Sequence, residues 1–235
     1  MKLTWMKWSA LPVAVLLAGS VAMAQDQPAP SSQPAPQAQS GSSATAATPA
    51  TTPTPEAKPK PTVAQRKENQ QDRIAQGVKS GQLTAGETAN LETKEAAING
   101  ETKADRAANG GKLTGAEKKQ INGQQNQVSK QIYKDKHNAN TQHYGNNKVD
   151  QRRENQQDRI AQGVKSGQLT AGETSKLENQ QKGINQQVAA DRKANGGTLA
   201  ASEKKQVNKE QNGASKNIYH KKHNAKTQPQ AQPKP

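Results

Sequence analysis

A chain of 235 residues with 29% apolar side chains, 2% aromatic ones and no Phe cannot assemble a large hydrophobic core of the ordinary kind. Its formal net charge of +15 favours polyanionic partners such as nucleic acid, lipopolysaccharide or acidic polysaccharide, with plain solubility as the alternative use of that charge. The absence of Cys excludes disulfides and thiolate metal centres.

Residues 1–24 have the layout of a secretory signal peptide. Lys2 and Lys7 supply the positive start, Leu11 to Ala18 the apolar run, and Ala22-Met23-Ala24 a small-x-small cleavage site. The run is shorter than the roughly 20 apolar residues a membrane-spanning helix needs. Cleavage after Ala24 is expected, giving a bacterial periplasmic or secreted protein that does not span a membrane. Residues 25–62 are rich in Pro, Ala, Gln, Ser and Thr, which predicts a disordered, extended linker. Residues 227–235 repeat that composition as a short disordered tail.

The remainder is one unit written twice. Aligning Val63 with Val149 gives an ungapped repeat at an offset of 86 residues, and the stretch Glu68–Thr88 returns unchanged as Glu154–Thr174. Repeat 1 spans 63–142 and repeat 2 spans 149–226, with two further matching residues to 228. A polar joint, 143–148, lies between them. Apolar residues are sparse but sit at helical steps: Ile74 and Val78, Leu91 and Ile98, then Ile121, Val128 and Ile132. Repeat 2 has Ala214 in place of Val128, which predicts a thinner second core. Gly77 and Gly163 fall inside the first helix of each unit and are expected to weaken it by about 1 kcal/mol each.

Turns are marked more sharply than stripes. Gly81-Gln82-Leu83-Thr84-Ala85-Gly86-Glu87 combines a left-handed glycine stop with the Thr-x-x-Glu spacing of a capping box. The pattern recurs around Thr114 and Glu117, and around Thr170 and Glu173. A fourth instance keeps Glu203 but has Ala200 at the cap, a loss worth about 1 kcal/mol. The spacing predicts helices near 64–79, 84–108, 114–138, 150–165, 170–194 and 200–224. The fold class is therefore all-α: two tandem three-helix units joined by Gly-x-Leu-Thr-x-x-Glu turns and flanked by disordered tails.

The same turns resemble the second half of a calcium loop, but the positions that need carboxylates hold Arg106, Ala108 and Gly110 in one case and Gln76, Val78 and Ser80 in another. His220 and His223, at i and i+3, form a candidate weak metal pair, but a structural site wants four ligands. Glu68 and Asp72, beside Arg66 and Arg73, read as a salt-bridged face rather than paired catalytic acids. No nucleophile, phosphate-loop or metal motif appears, so neither enzymatic activity nor a cofactor is expected.

The best candidate surface is the third helix of each unit. With Ile121 inward, Lys119, Lys130, Lys134 and His137 gather on the opposite side, bordered by Tyr133. Lys205, Lys216, His220 and His223 take the matching places in repeat 2. Such faces suit polyanion binding, with an anionic envelope polymer or lipopolysaccharide as the partner. Nothing in them suits sequence-specific nucleic acid recognition. Self-association is compatible with the pattern. The competing reading is a periplasmic holdase-type stress chaperone, and weak histidine-based metal binding is the third.

The run QRxENQQDRIAQGVKSGQLTAGE, followed by DRxANGG and IYxxKHNA, resembles a group of secreted bacterial proteins of uncharacterised role. That resemblance covers both repeats but not the tails. It implies an exported, repeated helical module and carries no activity.

Overall fold

The computed structural model describes residues 60–228. The proposed signal peptide, nearly all of the linker and most of the tail lie outside the described residues. Six helices follow one another: α1 (Val63–Lys79), α2 (Ala85–Ala108), α3 (Gly115–Lys136), α4 (Lys148–Lys165), α5 (Ala171–Ala194) and α6 (Ala201–Lys222). No strand occurs among the described residues.

Cap chemistry sets the helix starts. Thr84 Oγ1 accepts from the Glu87 amide at 3.3 Å, and Glu87 Oε2 accepts from the Thr84 amide at 2.9 Å. Thr114 with Glu117, and Thr170 with Glu173, make the same reciprocal pair. α1 has a further box, Thr62 with Gln65, which the Thr-x-x-Glu pattern did not reveal because the acid is a Gln. At α6 only half the box exists. The Ala200 amide donates to Glu203 Oε2 at 2.7 Å, and no side-chain oxygen returns the bond. Gly81 and Gly167 take the left-handed conformation at the first turns, with φ of 71° and 70°.

Each unit is a three-helix bundle. Ile74, Leu91, Ile121 and Ile132 are wholly buried in the first, and Ile160, Leu177, Val207 and Ile218 nearly or wholly so in the second. Leu83 and Leu169, on the turns, tuck against the first helix of their own unit. A Cβ on Gly77 would lie 2.6 Å from Leu83 Cδ1, and one on Gly163 would lie 2.7 Å from Leu169 Cδ1. These two glycines therefore admit the leucines, which corrects their reading as mere weak points. The second core is not thinner either. Val188, where repeat 1 has Thr102, is 1% exposed and packs with Val207 and Ala214.

The two units pack together, α2 along α5 and α1 along α4. Reciprocal contacts reveal an approximate two-fold relation. Gly86 faces the Lys182 side chain while Gly172 faces Ala96, and each of these pairs maps onto the other through the 86-residue offset. Ala75 of unit 1 joins the core of Ile160 and Val164, and its counterpart Ala161 joins the core of Ile74 and Val78. Ser175 Oγ donates to the carbonyl of Ala89, its own equivalent position, at 3.1 Å.

The layer between the units is polar. Glu92, Glu95 and Glu178 are 0% exposed, and Gln71, Gln157 and Gln181 are buried with them. Gln71 Nε2 donates to Glu92 Oε2 at 3.1 Å and Gln157 Nε2 to Glu178 Oε2 at 2.9 Å. Both oxygens of Glu95 lack a partner. Burial pushes the Glu95 carboxyl up to about 7 and Glu178 to about 8, and it raises Glu92 as well.

Segment borders shift at three points. Thr62 caps α1 and so belongs to the helical body, and Lys148 opens α4 rather than ending the joint. Gln228, expected in the tail, is buried: its amide donates to the Gly167 carbonyl at 2.8 Å and its Oε1 accepts from Ala171 at 3.1 Å. The joint is less polar than its sequence suggests. The Arg153 guanidinium lies 5.2 Å from the centre of the Tyr144 ring, and burial pushes that phenol above its usual range. The expected salt-bridged face also differs. Arg66 donates to Asn122 and Asn126, and Arg73 to the Ser129 carbonyl, so both tie α1 to α3.

Candidate functional site

α3 and α6 contact only helices of their own unit, on the far side from α2–α5 and α1–α4. They form the two outer layers of the body, and their outward faces point in opposite directions. On α3, Ile121, Val128 and Ile132 are buried while Lys119, Lys130, Lys134 and His137 are exposed. On α6, Val207, Ala214 and Ile218 are buried while Lys205, Lys216, His220 and His223 are exposed. The 100° step between residues produces this division without help from the loops.

His137 and His223 occupy the C-cap positions of these helices. His137 Nδ1 lies 2.7 Å from the Tyr133 carbonyl, and His223 Nδ1 lies 2.8 Å from that of Tyr219. A carbonyl oxygen only accepts, so Nδ1 carries the proton and Nε2 is turned outward. The bond holds each imidazole flat on its tyrosine: ring centres are 4.2 Å apart in both copies, at 28° and 26°. A cationic group at this end also suits the helix dipole. His220 meets Tyr219 edge-on at 5.9 Å, so in repeat 2 one tyrosine carries two imidazoles.

Tyr133 and Tyr219 are 63% and 54% exposed and are the large apolar side chains that the described surface presents. The sequence placed Tyr133 at the border of the basic face; its pairing with His137 was visible only as Tyr-x-x-x-His spacing, one turn of helix. Each stack therefore offers a broad, flat, half-aromatic plate beside lysines. The next segment fixes its position. Asn138 Nδ2 donates to Glu87 Oε1 at 2.7 Å and Asn224 Nδ2 to Glu173 Oε1 at 2.6 Å, anchoring the end of each third helix to the cap of the second. Burial raises these two carboxyls, but the Thr and Asn hydrogen bonds outweigh it and hold both below the usual carboxylate range.

The capping residues Thr84, Glu87, Thr114, Glu117, Thr170 and Glu173 are engaged in the turns and are not free for a ligand. A cationic concavity of about 970 Å³ opens where α4 begins and α5 ends, with Lys148, Arg152, Arg192 and Lys204 around Asp150. Asp150 is claimed by Arg153 and Arg192 at 2.8 Å each, which leaves an excess of positive charge there. Among the described residues no group of three or more His, Cys, Asp or Glu side chains is placed to hold a metal ion, and no helix is long and apolar enough to cross a membrane.

Comparison with protein-family models, with curated proteins and with solved structures returned no match.

Proposed function

We propose that this is a non-enzymatic, exported helical repeat protein that docks on anionic cell-envelope glycans, with lipopolysaccharide as the leading partner, and that it works in the periplasm or outside the cell. The observation that carries this reading is the repeated Tyr–His plate, Tyr133 on His137 and Tyr219 on His223, set beside exposed lysines on otherwise polar surfaces. The C–H face of a sugar ring stacks on an aromatic plate, and neighbouring phosphates or carboxylates meet the lysines. Neither feature reads bases, since a stacked ring and flexible point charges carry no base-specific pattern of donors and acceptors.

The opposed positions of α3 and α6 favour bridging of two polymer strands over flat attachment to one surface. Holdase activity has less support. An unfolded client needs an apolar stripe, and among the described residues the exposed large apolar side chains are two separated tyrosines.

Titration of lipopolysaccharide into the protein tests this. Affinity should fall steeply between about 50 and 300 mM salt, as counterion release requires. Dephosphorylated lipopolysaccharide should bind more weakly. Combining Lys119→Glu, Lys130→Glu and Lys134→Glu should remove the α3 contribution. Binding that ignores both salt and these reversals would overturn the proposal.

A further inference from the structure

We propose that the cavity between α1, α2 and the start of α5 binds a small organic carboxylate, whose anionic group takes the place in repeat 1 that Asp150 holds in repeat 2. This site is separate from the α3 and α6 faces and does not depend on their role.

The argument is a comparison of the two copies. In repeat 2 the Asp150 carboxylate sits 2.8 Å from Arg153 Nη1, 2.8 Å from Arg192 Nη2 and 2.6 Å from Asn147 Nδ2. The joint packs against this cluster on one side, while the concavity around Lys148 and Arg152 opens on another. A Cβ on Gly145 would lie 2.8 Å from Asp150 Oδ2, and Tyr144 covers Arg153. Subtracting the 86-residue offset converts Asp150, Arg153 and Arg192 into Ala64, Lys67 and Arg106. Both cations recur in repeat 1 and the carboxylate does not.

The space left by that difference is open. A cavity of about 520 Å³ is lined by Val63, Ala64, Lys67, Ile98, Lys103 and Arg106, among others, and no acidic side chain lines it. Among the described residues neither Lys67 nor Arg106 has an ion-pair or hydrogen-bond partner for its side chain. Burial pushes the Lys67 ammonium below its usual range. Glu95 and Glu92 pull it back up, and Arg106 adds to the depression. The two carboxyls are themselves held toward the neutral form by burial, so they leave the cations short of counter-charge. An anion between Lys67 and Arg106 relieves that deficit.

The walls choose the rest of the ligand. Val63, Ala64, Ala96, Ile98 and Ala171 present apolar surface, so the body of the molecule is apolar, and the volume suits a compact ligand. The anion is a carboxylate because a carboxylate is what the equivalent cations grip in the sibling unit. A carboxylate has two in-plane oxygens, one for each cation, as Asp150 gives Oδ1 to Arg153 and Oδ2 to Arg192.

Calorimetric and NMR titration of the intact protein with phenylacetate and hexanoate tests this. Saturable one-to-one binding at about millimolar affinity or better is expected, an ordinary range for so small a ligand. 2-Phenylethanol, which has the body without the charge, and inorganic phosphate, which has the charge without the body, should each bind at least about tenfold more weakly. Ala64→Asp rebuilds the repeat 2 arrangement inside repeat 1 and should abolish binding. Arg106→Gln, at an exposed position that does not disturb the core, should weaken it by about tenfold or more. Absence of saturation, equal binding of the alcohol or of phosphate, or full binding retained in either variant would overturn the proposal.

Discussion

Gln71 Nε2 lies 3.1 Å from Glu92 Oε2, in a layer where the glutamate is 0% exposed and its other oxygen has no partner. The second copy of this pair, Gln157 with Glu178, lies across the same interface. Glutamine supplies one donor each to Glu92 and Glu178, Glu95 has none, and Lys67 is the cation that acts on Glu92 and Glu95. Such a layer is neutral only while its acids keep their protons. Burial raises all three carboxyls, Glu95 to about 7 and Glu178 to about 8. Because the folded values exceed the unfolded one, near 4.5, the folded state binds more protons in between. Their contribution is therefore complete below about pH 4.5 and is lost as the pH climbs through about 7 to 8. Glu87 and Glu173 act in the opposite sense, since their lowered values contribute stability that disappears below about pH 4.5. Denaturant unfolding should show greatest stability near pH 5 and a loss of several kcal/mol by about pH 8.5, since each tenfold change in proton affinity between folded and unfolded chain is worth about 1.4 kcal/mol. Glu95→Gln, which copies Gln181, should flatten that decline.

Helix glycines should divide into two classes under substitution by Ala. Gly100, Gly123, Gly183 and Gly213 have nothing within 4 Å of a built Cβ. Alanine there should stabilise by about 0.5–1 kcal/mol through helix propensity. Gly77 and Gly163 carry the same propensity gain, but a Cβ would overlap the buried Leu83 or Leu169 side chain. Gly77→Ala and Gly163→Ala should therefore destabilise by about 1–3 kcal/mol. Thermal unfolding of the six single variants separates the classes, and uniform stabilisation would contradict this packing.

The start of α6 is the least complete of the helix starts. Ala200 leaves the third amide of the helix without the oxygen that Thr84, Thr114 and Thr170 provide. Its backbone is already in the extended cap conformation, φ −65° and ψ 163°, close to that of Thr114. Glu203 is also in place to complete the box. Ala200→Thr should stabilise by about 1 kcal/mol and slow amide exchange in the first turn of α6.

The turns were legible in the sequence because each depends on few residues at fixed spacing. Gly81, Thr84 and Glu87 do in the structure what their order implies. The polar layer was not legible. Glu92, Glu95 and Gln71 sit on helix positions that read as solvent-facing, and only the opposite unit converts them into interior. Helical periodicity describes one helix and its nearest neighbour; it carries no information about a second copy arriving on the polar side. Val188 gives no signal for a related reason: repeat 1 has Thr102 there, so the position is not among the apolar places the two copies share. The outward direction of Lys119, Lys130, Lys134 and their counterparts followed from Ile121 and Val207 alone. The stacking of His137 on Tyr133 did not, because it depends on the C-cap bond that turns the imidazole back over the last turn.

The opposed outer helices make valency a measurable property. On the proposed reading, with one docking face on α3 and another on α6, each protein would join two strands of an anionic glycan. Light scattering from a fixed amount of lipopolysaccharide or another long anionic glycan should then rise with added protein, pass through a maximum, and fall when excess protein occupies every strand singly. Reversing the charge of one face only, by Lys119→Glu, Lys130→Glu and Lys134→Glu, should leave binding through α6 but remove the scattering maximum. Tyr133→Ala with Tyr219→Ala should weaken binding on both faces. Fold stability should change by less than about 0.5 kcal/mol, since both tyrosines lie mostly in solvent. A scattering maximum that survives loss of one face would place the second contact elsewhere, with the concavity around Lys148, Arg152 and Lys204 as the next surface to reverse.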